Sequence, residues 1–182
     1  MPTVSSASHG RVQAAFSELD RGLLMAARTR GHGPRRERAA LVYSRLGEHA
    51  ACWLALGLAG AALDPERRAV WLRGAGAVAA AYALNYAVKL AVRRPRPQLD
   101  GLPPLSPVVS ALSFPSAHAT TSFAAARVYG GLVAPGVLYG AAVAFGLSRP
   151  YLGVHYPSDV AAGALLGTVV GSLAAGGGVT CR

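Results

Sequence analysis

The sequence predicts an all-α integral membrane helix bundle of about five transmembrane helices, preceded by an N-terminal interfacial amphipathic helix. Three observations carry this expectation. Of 182 residues, 52% are hydrophobic and only 14% charged, against roughly 25% charged in a soluble domain, and mean hydropathy is +0.34. From residue 49 onward, apolar segments of near-membrane length alternate with short polar breaks. The polar residues able to do chemistry gather at the ends of those segments, where ionisable groups are by default functional.

Residues 12–27 place Val12, Phe16, Leu19 and Leu23 at helical spacing, with Gln13, Ser17, Asp20 and Arg21 elsewhere on the wheel, which fits a helix lying at an interface. Residues 28–38 form a basic run broken by Gly and Pro that is not expected to sustain a helix, and each Arg near an anionic leaflet contributes about 1 kcal/mol of attraction. Residues 1–47 are thus read as a basic, amphipathic segment and 48–182 as the membrane domain; no secretory signal is visible.

The first apolar segment covers about 50–63 and ends at Asp64 and Pro65; the second covers about 69–92, interrupted by Arg73 and Lys89. After a Pro-rich connection, residues 117–147 carry a single charge, Arg127, and are too long for one straight pass. Gly130, Gly131, Pro135 and Gly136 supply a turn, so this stretch is read as two spans. The last segment, about 160–175, lines one face with Gly163, Gly167 and Gly171 at spacing four, which permits close helix approach, self-association included.

A net charge of +10 and a pI near 10.6 would suit a nucleic-acid binder, but here the cations punctuate apolar runs instead of covering a polar face, and no nucleic-acid partner is expected. Arg supplies 17 of the 18 cations and Ile is absent, a bias that reads as GC-rich coding. Cys52 and Cys181 are too few and too poorly placed for a disulfide framework or a zinc site. No acidic cluster suits Mg²⁺ either, so no metal or other cofactor is expected.

The segment ends offer Lys89, Arg96 and Arg149 as cations, His118 and His155 as imidazoles, Ser116 as a hydroxyl and Asp159 as a lone carboxylate. Topology sets these groups on one side, because two spans separate the second cluster from the third. Three cations with hydroxyl and backbone donors suit a phosphate. A carboxylate four residues after an imidazole can hold it in one tautomer, leaving its other nitrogen as a nucleophile; that describes His155 and Asp159. His118 could then protonate the leaving oxygen. Arg93 and Arg94 are expected to snorkel to the interface, Arg127 has no nameable partner, and His9, His32 and His49 lie away from the clusters.

Three blocks with intact internal spacing stand out: Lys89 with Arg96 and Pro97; Pro115, Ser116, Ala117 and His118; and Ser148, Arg149, His155 and Asp159. They resemble the signature of the type 2 phosphatidic acid phosphatase (PAP2) superfamily, Lys-x6-Arg-Pro, Pro-Ser-Gly-His and Ser-Arg-x5-His-x3-Asp, over roughly residues 69–175. Ala117 stands where that family usually has Gly, and its N–H remains available to a phosphate oxygen. Six spans are common in the family; here the helix around 12–27 stands in place of the first.

The resemblance implies a metal-independent phosphatase working through a phosphohistidine. His155 would be the nucleophile, Asp159 its orienting group and His118 the acid, while Lys89, Arg96, Ser116, Ala117 and Arg149 would bind the phosphate. It also implies a lipid-linked phosphomonoester as substrate. Decaprenylphosphoryl-5-phosphoribose is the first expectation, with phosphatidylglycerophosphate, phosphatidate or a polyprenyl diphosphate as alternatives. A non-catalytic lipid-phosphate binding or flipping protein would not need two imidazoles and a positioned carboxylate, and a vanadate-dependent haloperoxidase would be larger and soluble. Eight Arg in residues 1–49, with Arg93 and Arg94, outnumber Arg67, Arg68, Arg73, Arg127 and Arg182, which predicts a plasma-membrane protein with its site on the cytoplasmic side.

Overall fold

The computed structural model describes residues 4–176, with side chains from residue 14. Cys181 and the side chains of His9, Val12 and Gln13 lie outside the described part. The described residues form seven helices: α1 Val4–Thr29, α2 Pro34–Leu46, α3 Ala51–Leu63, α4 Arg68–Val92, α5 Ala117–Tyr129, α6 Pro135–Tyr151 and α7 Pro157–Gly176. Each of the five apolar segments is a helix, and the turn at 130–134 divides the long stretch 117–147 as expected. By length and composition, Pro65–Val92 and Pro157–Gly176 are each able to cross a membrane, and the pair Pro34–Leu46 and Glu48–Leu63, bent by 47°, makes a third when taken as one span. α5 has 13 residues and α6 has 17, shorter than a straight crossing requires.

The basic run departs from expectation. α1 continues through Thr29 and α2 begins at Pro34, so only residues 30–33 are irregular. Pro34 occupies the first helical turn, where its missing N–H costs nothing, and Gly31 takes the left-handed conformation (φ +69°) that lets the chain reverse. His32 closes the corner by stacking on Tyr151 and bonding Glu37 and the Ala27 carbonyl. α1 turns Asp20, Leu24 and Arg28 inward at spacing four and leaves Phe16, Leu19 and Leu23 more than half exposed. The outward apolar stripe is the surface an interfacial helix needs.

α5 lies at the centre, packed against α4, α6 and α7, with Ala119, Ala124, Ala125 and Ala126 fully enclosed. The glycine stripe of α7 meets α5 of the same chain: a Cβ at Gly163, Gly167 or Gly171 would lie within 3 Å of the Ser116, Thr120 or Ala124 carbonyl oxygen. The close approach anticipated for these glycines is therefore made within the chain, and the stripe is not an outward surface for a second copy. Arg127 lies across Gly171 and donates from Nε to Ser172 Oγ at 3.1 Å. Trp53, Trp71, Tyr129 and Phe145 form an aromatic cluster whose polar tips are satisfied, Trp53 Nε1–H donating to Ser122 Oγ (2.8 Å) and the Tyr129 hydroxyl to the Trp53 carbonyl (3.2 Å).

Between α2 and α3 the chain kinks at residues 47–50, with His49 (φ 51°) and Ala50 (φ 60°) both left-handed. Gly47 is required there by contact: a Cβ would stand 2.7 Å from the Phe145 ring and 2.8 Å from His118 Cδ2. The kink thereby becomes one wall of a cavity at the ends of α4, α5 and α6.

Candidate active site

Each block sits where a helix starts or stops. Lys89 is in the last turn of α4, Ser116 caps α5, His118 is in its first turn, Arg149 is in the last turn of α6, and Asp159 is in the first turn of α7. His155 occupies the short connection 152–156. Arg96 is held by the long 93–116 connection, which pairs Pro95 with Leu112 and donates Arg96 N–H to Ala111 O (3.2 Å). The structure brings all of these residues together around one cavity of about 110 Å³, lined by Lys89, Arg96, Ala117, His118, Arg149 and His155 among others, with Ser116 and Asp159 fully buried behind it.

Arg96 is aimed by three bonds, Nε to Ser110 O (2.6 Å), Nη1 to Val154 O (2.7 Å) and Nη1 to His155 Nε2 (3.2 Å). A guanidinium only donates, so Nε2 of His155 bears the lone pair and Nδ1 the hydrogen. Nδ1 faces Asp159 Oδ2 at 3.4 Å, longer than a formed hydrogen bond, and the Ser113 backbone also interacts with the ring. Burial first, then Arg96, Arg149 and Lys89, hold the His155 imidazole well below its usual titration range, which favours the neutral ring.

Asp159 is fully buried and fully engaged. Its Oδ2 accepts the Tyr156 N–H (2.9 Å), its Oδ1 accepts Arg94 Nη1 (2.8 Å), and its own carbonyl accepts the Ser116 N–H (2.9 Å). The last bond ties the start of α7 to the cap of α5. His118 Nε2 donates to the Ser44 carbonyl (2.9 Å), because a carbonyl can only accept; Nδ1 is then the nitrogen left for a substrate. Arg149 Nη1 donates to the Ser44 hydroxyl, while its Nε and the Ser116 Oγ are buried without partners. Unpaired buried donors facing a group of cations are what a small anion would satisfy.

Lys89 is more heavily committed than its sequence position suggests. Its ammonium donates to the carbonyls of Leu112 (3.3 Å), Ser113 (3.1 Å) and Pro115 (2.8 Å), so it fixes the connection while standing in the cavity wall. Asn85, one turn earlier, adds bonds to Pro115 O and Thr120 Oγ1. Ala117 lies within helical φ/ψ, so Ala in place of Gly meets no left-handed strain.

Two expectations are corrected. Arg94 does not snorkel: it pairs with both Asp159 and Asp20 and lies 4.0 Å over the Tyr156 ring, because two buried carboxylates there require a cation. Arg93, by contrast, is exposed and bonds only the Leu90 carbonyl by its side chain. His49 is not remote: it lines the cavity and its Nδ1 bonds the Tyr82 hydroxyl (2.9 Å). Sequence reasoning also missed Ser44 and Asp20, which reach the site from helices outside the three blocks.

The PAP2 superfamily matches residues 71–177, which contain all three blocks. The chain is 48% identical over 141 residues to a decaprenylphosphoryl-5-phosphoribose phosphatase of Mycobacterium tuberculosis (strain CDC 1551 / Oshkosh), covering 74% of this chain and 77% of that protein. It is 45% identical over 124 residues to the protein of the same name from Mycolicibacterium smegmatis, covering 66% and 67%. The crystal structure of a transmembrane PAP2 type phosphatidylglycerolphosphate phosphatase from Bacillus subtilis superposes with a TM-score of 0.78 at 23% identity, covering 92% of this chain and 88% of that one. Aquifex aeolicus LpxE superposes with a TM-score of 0.68 at 22% identity, covering 86% and 94%, and at such identities these two likenesses speak for the fold. Matched over more than half its length by the family and identical at nearly half of 141 aligned residues to a named relative, the chain belongs to the PAP2 superfamily.

Proposed function

We propose that the protein is a membrane phosphatase that hydrolyses a lipid-linked phosphomonoester, decaprenylphosphoryl-5-phosphoribose, to the lipid-linked ribose and inorganic phosphate. The observation that carries the reading is the neutral His155, its Nε2 beside Arg96 at the cavity and its Nδ1 toward the buried Asp159. The relatives' names support the choice of lipid.

In this mechanism His155 Nε2 attacks phosphorus and the P–O bond to the lipid's ribose breaks. The departing alkoxide takes the Nδ1 proton of His118 in its imidazolium form, Nε2–H staying on the Ser44 carbonyl, while Asp159 stabilises the positive charge that develops on the His155 ring. Water, deprotonated by His118, then cleaves the phosphohistidine to give phosphate and restore His155. Arg96, Arg149, Ser116 and the N–H of Ala117 hold the equatorial oxygens, the electrostatic contribution that dominates phosphoryl transfer. Lys89 contributes its charge from the carbonyl cage described above.

Phosphate release by the purified protein from decaprenylphosphoryl-5-phosphoribose, phosphatidylglycerophosphate, phosphatidate and a polyprenyl diphosphate, compared side by side, tests the proposal. Preference for one of the last three would overturn the lipid and leave the phosphatase. The excess of Arg near the N-terminus supports a cytoplasmic site. Asp100, exposed on the site-side connection, offers the check: in a chain with Cys52 and Cys181 replaced, Asp100→Cys should resist an impermeant thiol reagent in intact cells.

A further inference from the structure

We propose that Asp20 of α1 is a positioning residue for the reaction, acting through Arg94 and Ser158 to hold the Asp159 carboxylate where His155 needs it. The inference rests on the phosphatase reading and extends it to a helix outside the residues matched by the family.

Asp20 is 4% exposed, and both its oxygens are used. Oδ1 accepts the Ser158 N–H at 2.9 Å; Oδ2 accepts the Ser158 hydroxyl and Arg94 Nη2, the latter at 2.8 Å. Arg94 Nη1 in turn donates to Ser158 Oγ (2.7 Å) and Asp159 Oδ1 (2.8 Å). Asp20, Arg94 and Ser158 thus close a ring of charge-assisted bonds, to which the Asp159 carboxylate is attached through Arg94 Nη1.

The fork of a guanidinium offers two parallel donors and by preference takes both oxygens of one carboxylate. If Arg94 took both oxygens of Asp159, its Nη2 would compete with the Tyr156 N–H and the Nδ1–H of His155 for Oδ2. Asp20 prevents this by occupying Nη2, so that Arg94 meets Asp159 only through Nη1 and Oδ2 stays directed at Tyr156 N and His155. A second charge argument agrees: Arg94 alone would withdraw negative potential from Asp159, and a carboxylate on its far side restores it.

Mere attachment of α1 would not call for this arrangement. A buried carboxylate is costly unless paired, and apolar packing like that of neighbouring Leu24 would hold the helix as well. Here the only inward acidic residue among the described side chains of α1 stands at the one place from which it reaches Arg94 and the first turn of α7.

The test is a cycle on the full-length purified chain, with turnover measured on decaprenylphosphoryl-5-phosphoribose and on phosphatidate. Turnover by the unaltered chain reports on the phosphatase reading; the ratios between variants report on Asp20. Asp20→Asn keeps the shape and removes the charge, and is expected to lower kcat about tenfold with KM within about twofold, as for other outer partners of an oriented histidine. In an Asp159→Asn background the same change should cost less than about twofold, because its route to His155 is already cut. A ¹⁵N spectrum of His155 gives a readout independent of turnover: hydrogen on Nδ1 in the unaltered chain, and a mixture of tautomers in Asp20→Asn. Equal losses in both backgrounds, a loss confined to KM, or an unchanged His155 spectrum would overturn the proposal. If Asp20→Asn does not fold, Ser158→Ala removes the hydroxyl bridge and carries the same pattern, with a kcat loss of about threefold.

Discussion

Replacing Gly167 by Ala adds one methyl group at the narrowest point between α5 and α7. Its Cβ would lie 2.1 Å from the Thr120 carbonyl oxygen, 2.9 Å from Thr120 C and 3.0 Å from Ala124 N, where ordinary contact begins at 3.4 Å. All three obstacles are backbone, so no side chain can swing aside and α7 must retreat by about 1 Å in a core packed to crystal-like density. Thr120 is two residues beyond His118, and Asp159 lies about two turns before Gly167 on α7, with Ser116 N–H bonded to the Asp159 carbonyl. The retreat therefore pulls Asp159 away from the helix that carries His118. Overpacking costs about 1–3 kcal/mol, from which the better helix propensity of Ala returns about 1 kcal/mol, leaving a destabilisation of up to about 2 kcal/mol. Misplacement of reacting groups by about 1 Å costs up to about 100-fold in rate, so turnover should suffer more than stability. Thermal unfolding and kcat in the same detergent measure the two effects. Gly140→Ala, where nothing lies within 4 Å, is the control expected to behave as wild type. A Gly167→Ala protein with normal turnover and melting temperature would refute the view that α5–α7 contact sets the site.

His155→Ala and His118→Ala should each lower kcat by at least about 1,000-fold while the purified proteins keep their helical circular dichroism, and Asp159→Asn should be less severe because the nucleophile stays; near-normal activity in either His variant would contradict the roles assigned. Turnover should survive EDTA and be blocked by vanadate, which can adopt the trigonal-bipyramidal geometry of the transferring phosphoryl group; loss of activity in EDTA restored by Mg²⁺ would count against the mechanism. Because burial and three nearby cations depress His155, the unfolded chain takes up a proton that the folded chain refuses. Stability should be level above about pH 7 and fall as pH drops through the ordinary imidazole value of 6.5, and His155→Gln should flatten that slope in melting curves recorded from pH 8 to 5.

What could be read from the sequence was local. Helix limits near 63, 92, 117 and 157 followed from Pro and Gly breaks that act on their own neighbours, and the three blocks were legible because each is a short run at a helix end whose internal spacing survives folding. The basic stretch misled because Gly and Arg composition masked Pro34 as a helix start. The glycine stripe announced a close approach without saying to which helix, since small residues specify a distance and not a partner. Arg94 was misread for a related reason: an Arg beside a membrane span normally reaches for water, and only two buried carboxylates, 74 residues before it and 65 after, reverse that preference. Residues lining the cavity are thus visible in the blocks, whereas those bonded to them from elsewhere, Asp20, Arg94 and Ser44, are selected by pairings over long sequence separations. For Asp20 the sequence holds one trace, a carboxylate on the line Asp20, Leu24 and Arg28 opposite the apolar stripe of α1. An interfacial helix has every reason to point its charges at water, so a carboxylate on its inner line must find a cation inside, and that search leads to Arg94 and from there to Asp159.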